Sequence, residues 1–335
     1  MIGALTEFII IIYLAYNIVH GNIPEVGMYI TMTLAYYRVD SKLYSLLNLL
    51  QEVNGISMNA ERIQVFFNIQ ADIEKSESMI GNIVGEGKFS VELKNVGFTY
   101  DKSKFNLSNL NFKIEPGQKI AIVGENGAGK STFVKLLLRL YDVSEGEILI
   151  NSKNIKDYDV VSLRNRIGVA FQNTNIYAMT FDENLSLYGG ISKNRLDEIK
   201  GKFGIDSIAN KNGVEQDVEL TKEFSKNGII LSGGKAQKVA LARAMSREFG
   251  LLLLDEPSSA LDPLAEAKMS ELILSTANTT TTIIIAHRLS TIRNVDNIIV
   301  FDNGQIKECG THDELMKLKG KYYEMFTLQA ENYVN

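Results

Sequence analysis

Cysteine and histidine are scarce in this sequence. The only cysteine is Cys309, so the chain cannot form an internal disulfide or a cysteine-based metal site. The three histidines, His20, His287 and His312, lie far apart in the sequence, so a metal cluster would have to be built mainly from carboxylates. A single cysteine fits a reducing compartment best.

A basic excess is also absent. The 335-residue chain carries 35 lysines and arginines against 40 aspartates and glutamates, a formal net charge of −5. Without a basic field there is no overall attraction to nucleic acid or anionic lipid, and nucleic acid is not an expected partner. Charged residues make up 22% and hydrophobic residues 45%, which is ordinary for a folded chain, and the length suggests two unequal units.

The two most apolar stretches, residues 8–16 and 26–37, both lie near the start of the chain. Neither reaches the roughly 20 residues that span a bilayer as a helix, but with their flanks included, as 4–19 and 26–50, both could span it, the first only just. A cleaved signal peptide is rejected because Glu7 stands where such a peptide carries lysine or arginine. The sequence thus predicts a partial, all-α transmembrane domain of about two helices over residues 1–68.

The second of these helices is predicted to be unusually long. Helical-period apolar residues continue from 24 to 66, which gives about 60 Å of helix, roughly twice the hydrocarbon thickness. Arg38, Lys42 and Arg62 come late in it, which predicts a cytoplasmic end, with the turn before this helix outside. Arg38, Asp40 and Lys42 either snorkel at the inner interface or face a substrate cavity.

Residues 69–90 lose this periodicity and gain charge and glycine, as a linker does, so a second domain is predicted over 91–335. Within it, GENGAGKST fits G-x-x-x-x-G-K-[ST] between the apolar run KIAIV and the helical run TFVKLLLRLYD, the context that a phosphate-binding loop requires. A chance glycine turn is the alternative. Backbone N–H groups would cradle phosphates, Lys130 would neutralise the outer ones, and the Ser131 hydroxyl would hold Mg²⁺. The predicted phosphate-binding residues are Gly124, Glu125, Asn126, Gly127, Ala128, Gly129, Lys130, Ser131 and Thr132.

The run LLLLDE at 251–256 predicts a strand buried on both faces of a mostly parallel sheet. Asp255 at its tip suits a hold on Mg²⁺, and Glu256 suits orienting the attacking water and accepting its proton. The alternative is that these carboxylates cap the next helix, which Pro257 and Ser258 make reasonable for one of them but not for both.

A second anion site is predicted at LSGGKAQ, where Ser232, Gly233 and Gly234 precede an amphipathic helix and offer free N–H groups. A chain with one phosphate loop has no obvious internal use for this second site. This second anion site is therefore expected to act on a neighbouring chain.

Taken together, GENGAGKST, LSGGKAQ and LLLLDEPSSALD resemble the nucleotide-binding domain of ATP-binding-cassette (ABC) transporters over roughly residues 90–330. The resemblance implies an α/β P-loop NTPase fold, a mixed sheet with a helical subdomain, that uses ATP and Mg²⁺. In that family two such domains sandwich two ATP molecules, each between one chain's phosphate loop and the other chain's LSGG segment.

The resemblance also implies further roles. Tyr100 would stack on adenine, Gln172 would contact Mg²⁺, Asp262 would communicate across the dimer, and His287 would contact the γ-phosphate. Without the resemblance, Tyr100 would be an ordinary strand aromatic and His287 a structural histidine. The implied catalytic residues are Lys130, Gln172, Glu256 and His287; the implied metal ligands are Ser131, Gln172 and Asp255; and the implied nucleotide contacts add Tyr100, Ser232, Gly233, Gly234 and Asp262.

Membrane helices leading into the ATPase, together with AHRLST and the tail GTHDELMKLKGKYYEMF, are similar to the exporter branch of the family. The implied partner is a second copy or another ABC half-transporter, alongside membrane lipid. The implied cargo is a small molecule, lipid or peptide. The implied location is a bacterial plasma membrane with the ATPase domain in the cytoplasm.

Three departures from the family pattern stand out. Lys235 replaces the usual glutamine of the signature, Lys226 brings positive charge where the family commonly has negative charge, and about two spans are predicted where an exporter half usually has six. We therefore expect a fragment of a longer gene product, a trimmed form, or one piece of a split transporter.

The leading functional hypothesis is an ATP-hydrolysing subunit of an exporter. The alternative is a truncated or split transporter piece with ATPase activity that does not transport by itself and acts as a partner subunit. A soluble mechanical or DNA-repair ATPase is disfavoured because no long coiled coil separates the phosphate loop from LSGG. A non-catalytic remnant is disfavoured by intact Lys130, Asp255, Glu256 and His287.

Overall fold

The computed structural model describes residues 2–22, 26–69, 73, 87–100, 106–187, 189–211, 218–257, 261–276 and 280–331. The chain divides into two compact units, Met1–Ala71 and Asp72–Asn335. The predicted helix start at Pro24, the capping residue Ser258 and most of the predicted linker at 69–90 lie outside the described residues.

The first unit contains helices α1 (Ile2–Val19) and α2 (Val26–Phe67). The 42 residues of α2 make about 63 Å of helix, in agreement with the long helix predicted from the apolar period. Both helices carry large apolar side chains that are exposed within this unit, such as Ile12 on α1 and Leu50 on α2. The sequence predicts two membrane spans here; among the described residues, no helix combines the length and the apolar character needed to cross a bilayer.

The second unit alternates strands and helices. Its strands are β1 (Val91–Thr99), β2 (Asn106–Ile114), β3 (Lys119–Gly124), β4 (Glu145–Ile150), β5 (Lys153–Asn154), β6 (Ile167–Ala170), β7 (Leu251–Asp255), β8 (Thr281–Ile285), β9 (Asn297–Asp302) and β10 (Gln305–Gly310). Its helices are α3 (Lys130–Leu137), α4 (Val160–Asn165), α5 (Phe181–Leu185), α6 (Lys193–Phe203), α7 (Ile205–Lys211), α8 (Gly233–Ala244), α9 (Pro263–Thr276), α10 (His312–Leu318) and α11 (Lys321–Glu331).

The described strands form two sheets. The first has the order β2-β1-β4-β5 and is antiparallel. The second has the order β10-β9-β3-β8-β7-β6, parallel throughout except for β10 at one edge. This α/β P-loop arrangement with a mixed sheet confirms the predicted fold class of the second unit.

The core lies on both faces of the second sheet, because its central strands are mainly apolar. In β7 the side chains of Leu251 and Leu253 enter one apolar cluster and those of Leu252 and Leu254 enter the other. All five residues of β7 are buried, as the continuous aliphatic run predicts. The first cluster is covered by the antiparallel sheet and α3, and the second by α8 and α9.

This topology gathers the predicted site residues at one edge. The strands β3, β8, β7 and β6 are parallel neighbours, so their carboxyl ends lie side by side. The phosphate loop follows β3, His287 follows β8, Glu256 follows β7 and Gln172 follows β6. Ligands of open α/β sheets bind at this edge.

Candidate nucleotide-binding site

The phosphate loop is shaped by backbone that only glycine adopts readily. Gly124 has φ 149°, and a Cβ atom there would lie 2.2 Å from the carbonyl oxygen of Phe301 on the neighbouring strand β9. Gly129 has φ 107°, a left-handed conformation from which α3 begins at Lys130. The loop thus passes directly from a buried strand into a helix N-terminus, where unsatisfied N–H groups favour an anion.

Lys130 is buried beneath this loop, with 6% of its surface exposed. Its Nζ atom donates hydrogen bonds to the carbonyl oxygens of Gly124, at 2.8 Å, and Glu125, at 2.9 Å. Burial lowers the pKa of Lys130, while the nearby carboxylates of Glu256 and Asp255 act in the opposite direction. The ammonium group therefore shares one site with the two carboxylates that end β7.

Asp255 is buried beside the start of α3. Burial, followed by the charge of Glu256, raises the pKa of the Asp255 carboxyl group, and a hydrogen bond with Ser131 opposes that shift. Its Oδ1 atom is buried and accepts no hydrogen bond from the described residues. A buried carboxylate oxygen that accepts no hydrogen bond, next to a serine hydroxyl, offers oxygen ligands of the kind that Mg²⁺ prefers.

Glu256 contacts two of the other predicted catalytic residues. Its Oε2 atom accepts a hydrogen bond from Gln172 Nε2 at 2.7 Å, and its Oε1 atom lies 2.7 Å from His287 Nε2. Its backbone has φ 50°, uncommon for a residue with a side chain. The Glu256 N–H donates to Ile285 on β8 at 3.0 Å, and Gln237 Nε2 donates to the Glu256 carbonyl oxygen at 3.1 Å.

These groups surround a cavity of about 760 Å³. Its walls include the phosphate loop, the residue after β7 and the residues that follow β6 and β8. Of the predicted site residues, Asn126, Gly127, Gly129, Lys130, Ser131, Thr132, Gln172, Glu256 and His287 line it. The structure therefore brings the phosphate-binding and catalytic candidates to one place.

Tyr100 lies beside this loop in an aromatic cluster. Its ring packs edge-on against Phe98, with 4.8 Å between ring centroids, and against Tyr141, with 5.2 Å. Its hydroxyl group donates to Thr132 Oγ1 at 3.4 Å. The ring is thus next to the first turn of α3, where a base could stack on it.

The signature residues lie elsewhere. Ser232 and Gly233 are exposed at the N-terminus of α8, Gly234 is half-buried, and these three residues do not line the cavity around Lys130. Asp262 is exposed, and its Oδ1 atom accepts a hydrogen bond from Ala265 N at 2.9 Å at the start of α9. Lys226 is exposed and Lys235 is half-buried.

Sequence reasoning missed several residues that hold the site. Gln237 stands inside the quoted LSGGKAQ stretch, but its bond to Glu256 depends on how α8 packs. Arg288, next to His287, forms an ion pair with the buried Glu266 of α9. Glu125 pairs with Lys321 at 2.7 Å, and this contact lowers the pKa of Glu125. These pairs bring together residues that are distant in sequence, so no local motif reveals them.

A phosphate loop between a buried strand and a helix, paired carboxylates at a strand end and a polar residue after each neighbouring strand define a P-loop nucleotide-binding domain. The sequence model of the ABC transporter family matches residues 107–259. Residues 107–259 therefore belong to the ABC transporter family, and the second unit contains an ABC ATPase domain.

The similar proteins are bacterial transport and export proteins. The chain is 37% identical over 342 aligned residues to the subtilin transport ATP-binding protein SpaT of Bacillus subtilis, covering 100% of this chain and 53% of the relative. It is 39% identical over 247 residues to the putative multidrug export ATP-binding/permease protein YgaD of Bacillus subtilis, covering 72% and 41%. It is 34% identical over 330 residues to the ATP-dependent lipid A-core flippase of Hahella chejuensis, covering 96% and 55%.

A solved structure of an exporter is also similar to this chain. A bacterial Atm1-family ABC exporter with ATP bound superposes with a TM-score of 0.74 at 34% identity, covering 83% of this chain and 47% of that one. The chain thus spans about half the length of the curated relatives it matches.

Proposed function

We propose that this protein hydrolyses ATP with Mg²⁺ as one half of a two-chain exporter. The observation that carries the proposal is the shared carboxylate of Glu256, which contacts Gln172 and His287 on the same cavity as Lys130. We further propose that residues 1–68 form part of the transmembrane domain, residues 69–90 a linker and residues 91–335 the ATPase domain.

In this proposal the phosphate loop binds the β- and γ-phosphates through its N–H groups and Lys130. Lys130 is already held in place by two loop carbonyls, so little reorganisation is needed when phosphate oxygens approach. The adenine base stacks on Tyr100, whose ring is fixed by Phe98 and Tyr141.

Mg²⁺ would be held by the Ser131 hydroxyl, Gln172 and Asp255, whose buried oxygen is suited to it. When bound, the ion would neutralise charge on the phosphate oxygens. Ser131 and Asp255 are pre-oriented by their mutual hydrogen bond, and Lys130 places positive charge beside both.

Glu256 orients the attacking water and accepts its proton. A general base must keep a fixed position. Glu256 is held through its backbone N–H, its backbone carbonyl oxygen and both carboxylate oxygens. His287 contacts the γ-phosphate, and Gln172 would contact Mg²⁺. Catalysis is then mainly positioning and charge stabilisation.

A second chain completes each site. Ser232 and Gly233 offer the N-terminus of a 12-residue helix to solvent, away from the cavity of their own chain. We propose that they bind the γ-phosphate held by a partner's phosphate loop, with Asp262 near the same interface. The partner is a second copy or another ABC half-transporter.

The first unit is proposed to act at a bacterial plasma membrane, with the ATPase domain in the cytoplasm. Exposed apolar side chains on α1 and α2, such as Phe8, Ile12 and Leu47, favour contact with lipid or further helices. The relatives transport or export cargo, so a small molecule, lipid or peptide is the proposed substrate class. Retention in the membrane pellet after a high-salt wash tests this location; release into the supernatant contradicts it.

The central experiment compares Glu256→Gln with the full native chain. Loss of the proton acceptor should lower ATP hydrolysis by at least about 100-fold, while ATP binding persists and an ATP-dependent dimer accumulates. Glu248→Gln, at an exposed position, is the matched control and should hydrolyse ATP normally. Normal hydrolysis by Glu256→Gln would overturn the proposal, whereas hydrolysis without transport would support the narrower function of a partner ATPase.

A further inference from the structure

Helix α11 packs firmly on the second unit. Tyr322 has none of its surface exposed, and Met325 and Phe326 pack on the same apolar cluster. The helix begins on a carboxylate, because Glu308 accepts hydrogen bonds from the backbone N–H groups of Lys321, at 2.5 Å, and Tyr322, at 3.0 Å. These contacts hold the first turns of α11 in place, and a later residue of the helix reaches the segment that follows β8.

Gln329, two turns further along α11, bonds this segment with both ends of its amide. Its Nε2 atom donates to the carbonyl oxygen of His287 at 2.6 Å, and its Oε1 atom accepts from the N–H of Leu289 at 2.9 Å. A carbonyl needs a donor and an N–H needs an acceptor, so the pair of partners fixes which amide atom is oxygen. The amide thus bridges the backbone across the residue between them.

The imidazole of His287 has little else to hold it. Its side chain is 46% exposed, and its described polar contact is Glu256. Arg288, the next residue, is tied to Glu266 on α9. Because the side chain is so exposed, the direction of the imidazole is set mainly by the backbone at 287, which is held by the Gln329 amide and by the ion pair of the adjacent Arg288.

We propose that Gln329 is a positioning residue that aims His287 at Glu256 and at the γ-phosphate. The proposal rests on the proposed ATPase function. Gln329 lies on a different element from every predicted catalytic and metal-binding residue, and it acts through His287 alone. Removing its amide leaves nucleotide binding intact and misdirects the imidazole.

The test is Gln329→Met in the full chain, since methionine keeps the length and helix preference of glutamine but neither bonding end. We expect kcat for ATP hydrolysis to fall about tenfold, with KM for ATP within about twofold of the native value. Gln305→Met, at an exposed glutamine of β10 outside the cavity, is the matched control and should leave kcat unchanged.

A double-variant comparison separates positioning from general destabilisation. If Gln329 acts through His287, then adding Gln329→Met to His287→Ala should change the residual rate by less than about twofold. A further tenfold loss in that background, or a rise in KM with kcat unchanged, would overturn the inference. If instead His287→Ala retains the native rate, the proposed role of His287 fails, and the inference fails with it.

Discussion

His287 Nε2 lies 2.7 Å from Glu256 Oε1, so the imidazole after β8 and the carboxylate after β7 meet although 31 residues separate them in the chain. The contact follows from the parallel pairing of β7 with β8, which places Asp255 opposite Ile285. The other oxygen of Glu256 is held by Gln172. The carboxylate is therefore aimed by residues from both neighbouring strand ends.

His287→Ala is predicted to reduce kcat for ATP hydrolysis by about 100-fold, because it removes both the proposed phosphate contact and one of the two groups that hold the Glu256 carboxylate. Steady-state phosphate release measures the rate. His20→Ala, at an exposed histidine directly after α1, is the control. An unchanged kcat in His287→Ala would show that the contact with Glu256 has no part in the reaction.

Asp255→Asn is predicted to abolish Mg²⁺-dependent hydrolysis and, at the same time, to raise the melting temperature at pH 8 by a few degrees. The folded protein raises the pKa of Asp255, mainly by burial, so folding disfavours its charged form. That cost is absent below the ordinary pKa of 3.8 and grows as the pH rises through the higher folded pKa. The stabilisation should therefore shrink as the pH is lowered toward 4.

Asp302→Asn is the matched comparison, because Asp302 also ends a strand of the second sheet but is half-exposed. Thermal melts of both variants across this pH range provide the measurement. A melting temperature for Asp255→Asn that falls at pH 8, or one that shows the same pH dependence as Asp302→Asn, would contradict the assigned burial cost.

Arg243→Met is predicted to destabilise the protein by about 2–4 kcal/mol, equivalent to a fall of roughly 5–15 °C in melting temperature. The Arg243 guanidinium is buried on α8, and it donates to the backbone and side-chain oxygens of Asn184, each at 2.7 Å, and to Asn175 O at 2.9 Å. Methionine removes all three of these hydrogen bonds, although Asn184 Oδ1 still accepts one from the N–H of Tyr177 at 3.1 Å. Lys238→Met, half-buried on the same helix, should melt within about 2 °C of the native protein. A shift for Arg243→Met no larger than this one would show that these bonds contribute little.

The placement of the phosphate loop and of the end of β7 could be predicted, because each depends on a short stretch of sequence. Glycines at 124 and 129 are demanded by local torsions, and a run of four leucines demands a strand buried on both faces. The predicted helix after the loop was too long, however. It ends at Leu137, and the backbone of Arg139 turns to φ 48° so that its buried guanidinium bonds Asp142 and the carbonyl of Tyr158.

The supporting bonds could not be predicted for a related reason. Gln329 and His287 are 42 residues apart, and Gln237 and Glu256 are 19 apart, so each pair meets only after helices have packed on the sheet. The sequence around a helical glutamine does not indicate which distant backbone group its amide will bind. The parallel strand order, which sequence alone leaves open, is what makes these contacts possible.

The composite-site proposal makes a prediction about mixtures of two inactive variants. Lys130→Ala removes the proposed phosphate-binding cation, and Ser232→Arg blocks the exposed N-terminus of α8. Each variant alone should therefore lose hydrolysis at both sites of a symmetric dimer. A mixed dimer pairs the intact loop of one chain with the intact signature of the other. Mixing the two variants should therefore restore up to about a quarter of the native rate, because half of the random dimers are mixed and each has one working site.

The control for this experiment is a mixture of Lys130→Ala with Lys130→Ala,Ser232→Arg. It forms dimers of the same kind but has no phosphate loop with its lysine, so phosphate release should stay at background. Restoration should also rise with protein concentration, since it depends on association of the two chains. If Ser232→Arg alone hydrolyses ATP at the native rate, or if mixing restores nothing although the variants co-purify as dimers, then each chain does not contribute half of its partner's site.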